Sequence, residues 1–129
     1  MPQLAKGGKW VFGWVVVGPG REVCVPPKAY SEYGFRPGDV VFFMKSSRSS
    51  GGFGLGKQEI LAASPILSRR LAQGIVTSEG LVHLPPEVAI QPGERLLVVR
   101  GSGLALGFLQ RGPICDEALR HPELETFIP

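Results

Sequence analysis

Two glycine- and serine-rich stretches hold the residues best suited to chemistry. Ser46 to Leu55 reads SSRSSGGFGL, and Arg100 to Phe108 reads RGSGLALGF. Glycine and serine let backbone N–H groups turn inward together and surround an anion. Ser49, Ser50, Gly51 and Gly52 in the first stretch, and Ser102 and Gly103 in the second, are therefore candidate ligand-loop residues. Arg48 or Arg100 would add charge. Neither stretch is a nucleotide-type phosphate loop, because the Gly-Lys-Ser/Thr ending that opens a helix is absent. The plainer alternative is a Gly-rich hairpin turn with a bulge.

Other constellations are poor. His83 lies between Val82 and Leu84 on a strand and reads as a surface residue. His121 has Asp116, Glu117, Glu123 and Glu125 nearby, but this is no recognised metal pattern. No Ser-His-Asp, Cys-His or CxxC arrangement is present. A catalytic role, a metal and a cofactor are accordingly not expected. Cys24 reads as a small buried hydrophobe, and both Cys24 and Cys115 are expected to be reduced in an intracellular, cytoplasmic protein. The opening residues lack the apolar run of a signal peptide, and no apolar stretch nears the roughly 20 residues of a membrane span.

The 129 residues are 43% hydrophobic and 19% charged, as in a packed domain, with a net charge of +3. That charge permits nucleic-acid binding without demanding it. A second basic set is scattered: Lys6, Lys9, Lys28, Arg36, Lys45 and Arg48, with Arg69-Arg70 further on. Each suits a phosphate, but lone cations of this kind usually serve only a solvated surface.

The elements that must position these residues come as a repeat. Arg21 to Lys45 reads REVCVPPKAYSEYGFRPGDVVFFMK, and Leu81 to Arg100 reads LVHLPPEVAIQPGERLLVVR. Each is a short strand, a Pro-Pro pair, a short segment, a Pro-Gly-acid turn and an apolar strand. Aligning Pro26-Pro27 with Pro85-Pro86 and Pro37-Gly38 with Pro92-Gly93 needs one gap of four residues, about one helical turn. One copy is too small to bury a good core alone, so the two should complete each other. With 18 Gly and 12 Pro, a mainly β fold with short helices is expected. The pattern predicts one compact domain over 1–129. Repeat one covers about 10–55, linker helices 57–73, repeat two about 75–110, and a C-terminal helix 116–121 capped by Asp116. Pro27 to Tyr33 should be a helix stopped by Gly34. Trp10, Phe12 and Trp14 should share one strand face.

These motifs resemble the AbrB/SpoVT/MazE superfamily of swapped-hairpin transcription factors. The carriers are Gly20-Arg21, Val25-Pro26, Gly34-Phe35-Arg36-Pro37-Gly38-Asp39 and Val40-Val41, with Gly80, Leu84-Pro85 and Gln91-Pro92-Gly93-Glu94 in the second copy. Together they cover roughly half of the chain. The resemblance implies a swapped-hairpin barrel, here an intrachain pseudo-dimer, in an intracellular DNA-binding regulator working mainly through backbone phosphates. Arg21, Lys28, Arg36 and Arg48 are the DNA contacts it suggests. Tyr30 and Ser31 stand where such proteins carry a helix arginine pair, and Leu81 stands for the second-copy arginine. That departure motivates an alternative, a ligand-sensing or protein-interaction module on the same fold. The aromatic stripe and the symmetry of DNA sites predict a homodimer with Trp10 or Trp14 at the interface.

Overall fold

The computed structural model describes residues 10–101 and 105–129. The protein is mainly β, with short helices and a mixed sheet. Its elements are β1 (Val11–Val16), β2 (Glu22–Cys24), α1 (Pro27–Glu32), β3 (Val40–Lys45), β4 (Phe53–Lys57), α2 (Gln58–Leu61), a 3₁₀ turn (Pro65–Arg69), β5 (Arg70–Ile75), β6 (Leu81–His83), β7 (Arg95–Arg100), β8 (Leu106–Leu109), α3 (Pro113–Ala118) and β9 (Thr126–Phe127). Seven strands form one sheet in the order β5-β3-β4-β8-β7-β1-β9, and β2 pairs with β6.

The sheet is close to two-fold symmetric about the β4–β8 ladder, where Gly54 faces Gly107. The first strand of each copy pairs with the long strand of the other. Trp14 faces Leu97 and Val15 faces Leu96, while Gln73 faces Phe42 and Gly74 faces Val41. A register shift falls at the matching place in both ladders. The loops obey the same symmetry. Gly38 N–H donates to Val76 O and Gly93 N–H to Val17 O, each 2.8 Å. Asp39 accepts from Arg36 N–H and Glu94 accepts from Gln91 N–H, so each acid closes its own Pro-Gly turn. The seven-strand order has two ends, so no closed barrel forms among the described residues. Instead β9 takes the outer edge of β1, running parallel to it.

Val15, Val41, Phe43, Phe53, Leu55, Val98 and Phe108 pack the inner face with α1 and the β2–β6 pair. Phe53 stacks on Phe108 across the symmetry axis at 4.7 Å between ring centroids. The outer face carries two separate apolar clusters. Phe42 and Met44 lie under Leu61 of α2, and Trp14, Leu97 and Val99 lie under Cys115 and Ala118 of α3.

Several expectations change. Trp10, Phe12 and Trp14 do not share a face. Gly13 sits at φ +136 in the bulge of β1, which shifts the alternation by one residue. Phe12 therefore packs against the inner core, and Trp14 is buried in the outer cluster with Arg95 4.2 Å from its ring centroid. A Cβ on Gly13 would meet Glu125 O at 2.7 Å, so this glycine also makes room for the β9 segment. The linker is shorter than 57–73, because Arg70–Gln73 belongs to β5, an edge strand without hydrophobic alternation. Ser64 does cap the 3₁₀ turn, accepting from Ile66 N–H at 3.2 Å. The C-terminal helix starts at Pro113, and Asp116 lies in its first turn instead of capping it. Helix α1 is as expected: Pro27 opens it, and Phe35 folds back onto Tyr30 and Tyr33.

Candidate functional site

The four cations suggested as DNA contacts are not brought together. Arg21 is turned inward onto the second copy. Its guanidinium donates to Ile90 O at 3.1 Å, to Leu84 O at 3.3 Å, to Pro85 O and to Val88 O. The shortened second copy has no helix there; Pro85 O and Val88 O also accept from Val88 N–H and Ile90 N–H, each at 3.0 Å, and Arg21 adds a charged donor to all four carbonyls. Arg21 itself has φ +60, a left-handed conformation that matches Gly80 at +78. Reciprocal bonds, Val25 N–H to Gly80 O and Leu84 N–H to Arg21 O, make Gly80, not Leu81, the counterpart of Arg21. Lys28 is exposed on the first turn of α1. Arg36 is exposed at one end of β3, 4.0 Å from Asp39. Arg48 is exposed in the loop at the other end of β3, roughly 17 Å away by strand rise.

The first glycine loop is not an open anion cradle. Gly51 N–H donates to Ser47 O at 3.0 Å, and Gly52 N–H donates to the Gln110 side chain at 3.1 Å. The hydroxyl of Ser47 bonds those of Ser49 and Ser50. A Cβ on Gly52 would lie 1.8 Å from Phe108 O, so packing alone requires this glycine. The loop is clamped to the second copy by Gln110 and Arg111 N–H groups on Ser50 O, and by the Arg111 side chain on Arg48 O at 2.9 Å. Ser102 and Gly103 lie outside the described residues.

What the structure does assemble is a cleft on the outer face, beside that loop. It lies between the cover given by α2 and the 3₁₀ turn and the cover given by α3. Its volume is about 430 Å³. Gly54 and Gly107 form the middle of the floor, so the central ladder offers backbone where a side chain would stand. Met44 and Leu109 flank the glycines, and Ile66 and Ile114 come from the two covers. Lys45, Arg69 and Arg111 line it, no acidic residue does among the described residues, and serines of the 46–50 loop close one end. None of these three cations is in an ion pair among the described residues. An apolar floor under unpaired cations favours a negatively charged occupant. Lys45, Arg48 and Arg69 stand out in the sequence only as dispersed cations. Arg111 gives no sequence signal, because its place beside them depends on the β4–β8 register.

Other polar groups are structural. Arg100 pairs with Glu32, and Tyr33 OH accepts from Gly101 N–H at 3.2 Å. Burial raises the thiol pKa of both Cys24 and Cys115, and neither is in a disulfide. The imidazole of His121 lies 2.8 Å from Glu123 and 3.4 Å from Glu117, and these carboxylates raise its pKa. Among the described residues no helix is long and apolar enough to cross a membrane, and no three potential metal ligands cluster. No family model, curated protein or solved structure matches the chain.

Proposed function

We propose that this chain is a non-catalytic intracellular binding module, an AbrB-like swapped-hairpin pseudo-dimer that holds an anionic ligand in the cleft on its outer face. The reciprocal pairing of first strands with long strands supports the swapped-hairpin reading. The observation that carries the function is the gathering of Lys45, Arg69 and Arg111 around one cleft with no acidic lining among the described residues. Thermal melting with inorganic pyrophosphate tests it. Added pyrophosphate should raise the Tm of the native protein, and the rise should shrink in Lys45→Gln/Arg69→Gln. A Tm unmoved by millimolar pyrophosphate at low salt would reject the reading.

DNA binding through phosphates is the second reading. It is favoured by the family resemblance and by the exposure of Lys28, Arg36 and Arg48. Arg21 has no part in it, because its donors are occupied. A mobility shift on duplex DNA that weakens steeply with salt would favour it. Retention of that shift in Lys45→Gln/Arg69→Gln would place DNA away from the cleft. Homodimerisation stays a proposal in which Trp10, 39% exposed, and not the buried Trp14, faces the partner.

A further inference from the structure

We infer that the cleft takes a small anionic amphiphile, a molecule with a flat or acyl apolar body and one phosphate, sulfonate or carboxylate head. The inference rests on the anion-binding reading above and adds the apolar body.

The first ground is the floor. Gly54 lies within a β-strand, where glycine weakens the strand unless something needs the space. Its φ is not in the left-handed range. A Cβ there would meet the Met44 and Ala105 side chains at 3.4 and 3.5 Å and Leu106 O at 3.8 Å, all ordinary contacts. Neither conformation nor packing thus requires this glycine, in contrast to Gly52. Its partner Gly107 is partly explained by Val99, 2.9 Å from the site of its Cβ. The glycine pair leaves a trough along the symmetry axis.

The second ground is the distribution of polarity. Met44, Leu109, Ile66 and Ile114 surround the trough with apolar atoms, while the cations stand around it. A bare inorganic anion would leave that apolar surface uncovered. A neutral apolar molecule would leave the cations unused. An amphiphile satisfies both, and about 430 Å³ is within the range of small-molecule sites. A duplex does not fit a trough of this volume.

The test uses 8-anilinonaphthalene-1-sulfonate, its uncharged relative N-phenyl-1-naphthylamine, and pyrophosphate, with near-UV circular dichroism to confirm native packing of each variant. The sulfonate should bind saturably with enhanced fluorescence. Gly54→Leu, which fills the trough, should weaken it at least tenfold and weaken the uncharged dye similarly. Lys45→Gln and Arg69→Gln should each weaken the sulfonate about threefold to tenfold and leave the uncharged dye unchanged. Gly54→Ala, with its room for a methyl group, is the variant to use if Gly54→Leu does not fold, and it should weaken the sulfonate measurably. Unchanged sulfonate binding in a natively packed position-54 variant would overturn the site. Insensitivity to both charge variants would overturn the anionic head. Pyrophosphate stabilisation without any dye binding would overturn the amphiphile and leave the anion reading standing. Absence of both responses would remove the two together.

Discussion

Copy one crosses from β2 to β3 by helix α1, whose own turns bond its backbone. Copy two makes the same crossing from β6 to β7 with four residues fewer and no helix. The missing turn is replaced by Arg21 of copy one, which reaches across and donates to the carbonyls of Leu84, Val88 and Ile90. A helix satisfies its carbonyls locally, whereas this short segment makes two such bonds of its own, Val88 N–H to Pro85 O and Ile90 N–H to Val88 O, and takes further donors from Arg21. Arg21, read from the sequence as a candidate DNA contact, is an internal brace. The lesson concerns function: a basic residue singled out by sequence can be committed to the fold.

The copies also differ at their edges. The outer edge of β1 receives β9, and Trp14 N–H donates to Glu125 O at 2.8 Å. The counterpart edge, on β5, has no strand among the described residues. Ala72 matches Gly13, and its Cβ would obstruct a segment seated as Glu125 is on Gly13. The tail therefore has one seat, not two.

The largest effects should come where the copies are most alike. Phe53→Ala and Phe108→Ala each remove one ring of the stacked pair on the axis and should destabilise by about 3 to 5 kcal/mol in urea melts. The two values should agree within about 1 kcal/mol, with a single transition for each. Two separate transitions would break the comparison, because the copies would then fold independently.

Arg21→Ala should destabilise by about 3 kcal/mol, since several partly buried acceptors lose a charged donor. Arg21→Gly should lose about 1 kcal/mol less, because glycine relieves the left-handed backbone. The reverse order would show that the strain is absent and the brace weaker than drawn.

Asp39→Ala and Glu94→Ala each remove the acceptor of one turn N–H, and each should cost about 1 kcal/mol by the same melts. A difference well above that would mark one turn as the stronger dock.

The smallest effect is a titration. The His121 pKa is raised chiefly by Glu123, and the Glu123 pKa is lowered chiefly by His121. A raised histidine favours the folded state at pH below its unfolded value of about 6.5, and this contribution fades as pH rises through the folded value. A lowered carboxylate contributes above its unfolded value and is lost as pH falls through the folded one. The pair is therefore held between the two folded values. Proton NMR of the imidazole should show a midpoint above that of a free histidine, and Glu123→Gln should lower it.

Much of the fold was legible in the sequence. The repeat, the helix opened by Pro27, its stop at Gly34 and the two Pro-Gly-acid turns are local signals, and each appears where the residues place it. Strand β5 was not legible, because RLAQGI on a sheet edge has no burial pattern to impose alternation. The bulge at Gly13 was hidden for a similar reason: a glycine in a strand does not announce a shift of register. The site was less legible than the fold. Lys45 ends β3, Arg69 precedes β5 and Arg111 follows β8, so the pairing of β3 with β5 brings the first two together and the pairing of β4 with β8 adds the third.

The pairing of each copy's first strand with the other copy's long strand flanks the central ladder on which the cleft is built. It is tested most directly by Hα–Hα contacts in a nuclear Overhauser spectrum of the native protein. Trp14 N–H points outward to Glu125, so Trp14 and Leu97 form a non-hydrogen-bonded pair with closely approaching Cα atoms, and Gln73 and Phe42 match them. Strong Hα–Hα cross-peaks are predicted for Trp14 with Leu97 and for Gln73 with Phe42. Cross-peaks joining Trp14 to β3, or Gln73 to β7, would contradict the account.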